Sequence, residues 1–179
     1  FNVIETTLGY YLFDGNTNNE YGSDTLTVNG TTQYRDNSFI FNGSTKLQSN
    51  TSRFLTPNTG GQFTISFKFC YYMVDSSVNV KPLFSTTETA RGSGSLYVFL
   101  DTYNAGVGVN NRGRVRMSWS SGGNMSENQS QPVINVLTEN TLTLIYSGLG
   151  ILALYVNGYN IYSSTSQFFM LNDGFVLGG

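Results

Sequence analysis

The sequence predicts an all-β fold of short antiparallel strands, a sandwich or a barrel, formed as one domain over residues 1–179, with the doubly apolar run at 96–100 favouring a sandwich of two packed sheets. Three observations lead there. Short strand-like runs recur between turn signals, roughly every 8 to 12 residues. Asn, Ser, Thr and Gly number 20 each, beside 12 Tyr and 13 Phe, a mixture rich in turn and strand formers and poor in helix formers. No stretch has the period of an amphipathic helix of ordinary length; a short helical turn near "SRFLTP" (52–57) is the most the pattern allows. A chain of 179 residues is long enough for one core and short of two.

The elements follow from alternation and turn chemistry. "GYYLFDG" (9–15) reads as a strand ending in Asp-Gly, and "TLTV" (25–28) as one ending at Asn29-Gly30. "SFIFNGSTKLQ" (38–48) reads as two strands across Asn42-Gly43. "QFTISFKFCYYMV" (62–74) alternates Phe63, Ile65, Phe67 and Phe69 on one face with Thr64, Ser66 and Lys68 on the other. "KPLFSTT" (81–87) and "GSLYVFLDTY" (94–103) follow, the second apolar on both faces, as in a strand covered from two sides. In "AGVGVNNRGRVRMSWS" (105–120), Val107 and Val109 lead into a turn at Asn110–Gly113, and an arginine-rich strand returns. The polar stretch 120–132 reads as a loop. "TENTLTLIYSG" (138–148) and "ILALYVNGYNIYSS" (151–164) form strand pairs, the second around Asn157-Gly158, because both positions of a tight hairpin need positive φ. "GFVLGG" (174–179) closes the chain.

Composition removes several function classes. Net charge is −2 and only 11% of residues are charged, so there is no electrostatic case for a nucleic-acid or anionic-membrane partner. The 39% hydrophobic and 15% aromatic content argues against a disordered tract. There is no histidine, which excludes His-dependent triads, most zinc sites and the usual general base. Cys70 is the only cysteine, so a monomer has no internal disulfide; within "FKFCYYM" it reads as a small buried hydrophobe. The most membrane-like stretch, 141–156, holds Gly148 and Gly150 and is shorter than the roughly 20 residues a spanning helix needs, so it reads as a hairpin and implies no membrane insertion. The sequons at Asn29, Asn42, Asn50, Asn124 and Asn128 are what this composition yields by chance. A chain that opens on Phe1 without a signal-peptide pattern reads as a piece of a longer protein.

Five segments in order carry a resemblance. "LGYYLFDGN", "FIFNGSTKL", "FTISFKF", "LALYVNGYNIY" and "FVLGG" together resemble the concanavalin A-like lectin/glucanase superfamily, in its laminin-G-like branch. The resemblance spans nearly the whole chain. It implies a jelly-roll sandwich that binds glycans or proteins at loop tips or on a sheet face, without implying catalysis. Lys68 stands where that group often has Trp, and the group's usual strand after Gly-Gly does not follow, so a final strand is missing or replaced.

No two of the 11 acidic residues stand two apart, so the paired carboxylates of a glucanase strand are absent and no enzyme is expected. No cofactor is implied. The one metal reading is calcium at Asp101, Asn104, Asn110 and Asn111, against which stands ordinary turn chemistry. Arg112, Arg114 and Arg116 recur every second residue, so with Ser118 they share one strand face. Gly113, Val115, Met117 and Trp119 share the other. Trp119 therefore reads as core first and as a sugar-stacking platform second. The arginine row has two readings: a solvated sheet face, or recognition of a carboxylate, a sulfate or sugar hydroxyls by planar donor forks. Tyr97, Tyr103 and Asn111 are its candidate companions in ligand binding.

Two functions follow from these readings. The first is a non-catalytic carbohydrate-binding attachment domain, such as the receptor-binding head of a viral or phage spike, with a cell-surface glycan or glycoprotein as partner. It would sit at a virion surface or outside the cell, with oligomers formed through the parent protein. The alternative is a structural or protein-interaction module with no glycan site.

Overall fold

A computed structural model of the chain describes residues 11–20, 25–42, 44–49, 63–71, 80–86, 96–101, 114–121, 124–129, 134, 137–147, 151–165 and 175–178. Among them there are thirteen strands and no helix. One sheet has seven strands, in the order β1 (Thr27–Asn29), β4 (Lys46–Gln48), β13 (Val176–Gly178), β6 (Val80–Ser85), β7 (Leu96–Asp101), β8 (Arg114–Ser121) and β9 (Asn124–Gln129). A second has four, in the order β12 (Tyr159–Ser164), β11 (Leu152–Val156), β10 (Glu139–Tyr146) and β5 (Phe63–Cys70). All pairings are antiparallel, and β2 (Tyr34–Arg35) and β3 (Ser38–Phe39) form a separate ribbon.

The main core lies between the two sheets. Phe84, Val98, Leu100, Val115 and Met117 of the larger sheet meet Leu142, Leu144, Leu152, Leu154 and Val156 of the smaller. β5 shows the expected alternation. Phe63, Ile65, Phe67 and Phe69 pack against this core, while Thr64, Ser66 and Lys68 are exposed. On that outer side the Lys68 ammonium lies 2.8 Å from Glu139, whose hydrogen bond and charge raise the lysine pKa above its ordinary value. Being exposed, the pair adds little to stability.

A smaller cluster of Leu26, Phe39 and Leu47 sits under the β2–β3 ribbon. The ribbon turns at Asp36 and Asn37, both at positive φ (50° and 57°), as a two-residue hairpin requires. Tyr34 packs edge-on against Phe39 with ring centroids 5.4 Å apart, and burial raises its phenol pKa. Phe175 and Leu177 pack against both clusters and so join them.

Gly178 ends β13 at φ 70°, and a side chain there would run into the ring of Phe41. Gly178→Ala is therefore expected to cost about 1–2 kcal/mol, read as a lowered urea midpoint.

Several sequence expectations need correction. Residues 11–15 lie in no strand. Short-range bonds take the backbone elsewhere: Asn18 N donates to Asn16 Oδ1 at 2.7 Å, and Asn16 Nδ2 to Asp14 Oδ1 at 2.9 Å. Residues 38–48 are not a hairpin, since β3 pairs with β2 while β4 pairs with β1 and β13. Asn42 Oδ1 accepts from Ser44 N (3.2 Å), Ser44 Oγ (3.0 Å) and Thr45 Oγ1 (2.8 Å), and these bonds turn the chain toward the other sheet. The stretch 120–132 is not merely a loop: it contains β9, the edge strand beside β8. β8 pairs with β7 and β9; residues 105–109, and the helical turn expected at 52–57, lie outside the described residues. Cys70 is exposed, because the alternation that buries Phe69 turns its neighbour outward.

The expected hairpins of the smaller sheet are present. Residues 141–156 cross from β10 to β11 in antiparallel register, and Asn157 and Gly158 turn at φ 52° and 80°.

Candidate functional site

β8 has two kinds of position. Val115 and Met117 are each 1% exposed and face the inter-sheet core. They pair with Leu100 and Val98, and Trp119 takes the next position on that side, opposite Leu96. The alternate positions belong to the sheet's outer face: Arg114 opposite Asp101, Arg116 opposite Phe99, and Ser118 opposite Tyr97. On the other flank of β8, Gln129 pairs with Arg116 and Glu127 with Ser118.

The register carries this face across the sheet. Tyr97 pairs with Ser85, Ser85 with Val176, and Val176 with Gln48. Gln48 Oε1 accepts from Asn29 Nδ2 at 3.3 Å. One cross-strand row thus reads Gln48, Val176, Ser85, Tyr97, Ser118 and Glu127, with Pro82, Phe99, Arg116 and Gln129 alongside. Phe99 and Val176 are each 7% exposed although neither belongs to the two core clusters. The centre of the face, with Val176, Ser85 and Phe99, is therefore largely shielded from solvent.

Of the residues singled out by sequence, Tyr97 is half-buried on this face, and Arg114 and Arg116 hold positions in the same face. Arg112, Asn111 and Tyr103 lie outside the described residues, as do Asn104 and Asn110 of the calcium reading. Gln48, Asn29 and Val176 had no sequence signal. They are far from β8 in the chain, and only the strand order brings them to the same sheet.

A half-buried phenol ring, amides, hydroxyls and guanidinium-bearing positions on one face can stack on a sugar ring and hydrogen-bond its hydroxyls. Among the described residues no three His, Cys, Asp or Glu gather as a metal set would.

No protein-family model matches the chain, and no curated protein is similar to it in sequence. Solved structures are similar. Domain 4 of AbnA, a GH43 extracellular arabinanase from Geobacillus stearothermophilus in complex with arabinotriose, superposes with a TM-score of 0.65 at 15% identity, over 94% of this chain and 80% of that one. The carbohydrate-binding module CBM66 from Bacillus subtilis gives 0.52 at 12% identity, over 86% and 91%. The fold is a β-sandwich of the kind carbohydrate-binding domains have. The binding domain of botulinum neurotoxin serotype D gives 0.60 at 11% identity, over 90% of this chain and 41% of that one. The chain also spans 64% of the Ruminococcus gnavus sialidase module CBM40, with 66% of its own length, 18% identity and a TM-score of 0.47.

Proposed function

We propose that the chain is a non-catalytic carbohydrate-binding domain of the concanavalin A-like, laminin-G-like kind, with residues 1–179 forming one domain. Its role is attachment: it reads a glycan or glycoprotein receptor from a virion surface or from outside the cell, within a longer parent protein. The observation that carries the reading is the outer face of β7 and β8, where Tyr97 shares one side of the sheet with the positions of Arg114 and Arg116. Arg112, Asn111 and Tyr103 complete the proposed contact set. The arabinotriose held by the AbnA domain, on a sandwich similar over 94% of this chain, supports the same reading.

A glycan array with the purified chain tests it. We expect binding that falls roughly tenfold in Tyr97→Ala and in Arg116→Ala, with the circular dichroism spectrum unchanged. Silence across neutral, sialylated and sulfated glycans would favour a structural or protein-interaction module instead.

A further inference from the structure

We infer that β5 is an interaction edge, which pairs antiparallel with β5 of a second copy of this chain and joins the two smaller sheets into one. Among the described residues the two main sheets end on four strands: β1, β9, β12 and β5. An open edge invites strand pairing, and proteins blunt it by shortness, by charge or with a bulge. β1 has three residues. β9 reads Asn-Met-Ser-Glu-Asn-Gln, with a carboxylate and no apolar alternation. β12 is interrupted by an irregularity in its register with β11. β5 instead runs eight residues in unbroken register with β10, and its one charge, Lys68, is matched at 2.8 Å by Glu139.

Burial falls off toward this edge. On β10 the core-facing Leu142 and Leu144 are 0% and 1% exposed. Their partners on β5, Phe67 and Ile65, pack on the same core yet are only half-buried, as are Phe63 and Phe69. The core is therefore open along β5, where large apolar side chains meet water. A further strand alongside covers them and continues the hydrogen-bond ladder.

β5 is its own complement. Opposite residues of an antiparallel pair share a face, so a two-fold axis at Ser66 or at Phe67 matches residues 63–69 or 64–70 to themselves. Either axis sets core-side residues against apolar ones: Ile65 against Phe67, or Phe67 against itself and Ile65 against Phe69. Such aromatic and β-branched pairs favour association across strands. Either axis also places each Lys68 opposite a hydroxyl, Thr64 or Ser66, and never opposite the other Lys68. The two Cys70 thiols do not meet in either register, so the dimer needs no disulfide.

Sedimentation velocity on the full chain, from roughly 1 µM to 1 mM, tests this. A single strand pair is a small interface, so the expected dissociation constant is on the order of 10–100 µM. Amides of residues 63–70 gain protection from hydrogen exchange as the dimer forms. Thr64 and Ser66 are exposed, which makes them sites for a test by sign of charge. The double substitution Thr64→Lys/Ser66→Lys sets ammonium against Lys68 of the other copy and weakens the dimer roughly tenfold. Thr64→Glu/Ser66→Glu tightens it roughly threefold, and high salt reduces both effects. Circular dichroism checks folding in both. A chain that stays monomeric, a dimer that responds alike to the two charge signs, or a dimer that dithiothreitol dissolves overturns the inference. Each of these leaves the glycan reading standing, because β5 belongs to the other sheet.

Discussion

Phe84→Ala is expected to destabilise the protein by about 3–5 kcal/mol, a large share of the roughly 5–15 kcal/mol that holds such a domain together. Phe84 is 1% exposed and is among the largest fully buried side chains. It sits on β6 just after the irregularity between Pro82 and Phe84, with Val98 on one side and Leu177 on the other. Its ring stacks on Phe175, with centroids 6.0 Å apart and planes 27° from parallel. Phe175 and Leu177 also pack against the satellite cluster under the ribbon. Truncation therefore opens a cavity in the main core and loosens the residues that tie the second cluster to it. Urea unfolding should show a lower midpoint with an unchanged slope. A loss below about 1 kcal/mol would mean that the site collapses around the gap, contrary to the packing described.

How readily each element could be foreseen follows from how its residues are buried. β5 and β10 each bury one face, so period-two alternation is written plainly into residues 63–70 and 139–146. The β11–β12 turn was legible because two consecutive positive-φ positions are cheap only for residues such as Asn and Gly. β9 was not. "NMSENQ" has no apolar face, and its pairing to β8 is a matter of backbone bonds at a sheet edge. β2 and β3 have two residues each, too few for any period to show. The candidate site divides in the same way. The parity of the arginine row could be read beside Val115 and Met117, whereas Gln48 and Val176 reach this face only through the order β4-β13-β6, which joins segments distant in sequence. Asp101 and Glu127 come beside β8 only through register, because a residue's cross-strand neighbours are not written in its own strand.

The second large effect is expected at Asn157, where turn geometry and side-chain bonding coincide. Its backbone N donates to Thr141 O at 2.8 Å, and its Oδ1 accepts from Thr141 N at 2.9 Å. Its Nδ2 donates to Oδ1 of Asn140 at 3.0 Å. Asn140 is 1% exposed, and its own Nδ2 donates to Thr138 O at 3.0 Å. The residue thus locks the β11–β12 turn onto the start of β10 while holding φ at 52°. Asn157→Ala removes both side-chain bonds, takes a donor from a buried amide oxygen, and forces a Cβ-bearing residue without a local hydrogen bond into the left-handed region. Together these should cost about 3 kcal/mol. Asn157→Gly separates the contributions, because glycine accepts the backbone angle and loses only the side-chain bonds. It should cost about half as much, measured as the difference between the two urea midpoints. Equal losses in the two variants would assign the whole effect to hydrogen bonding. Near-wild-type stability in both would show that the amide lock does not hold the turn in solution.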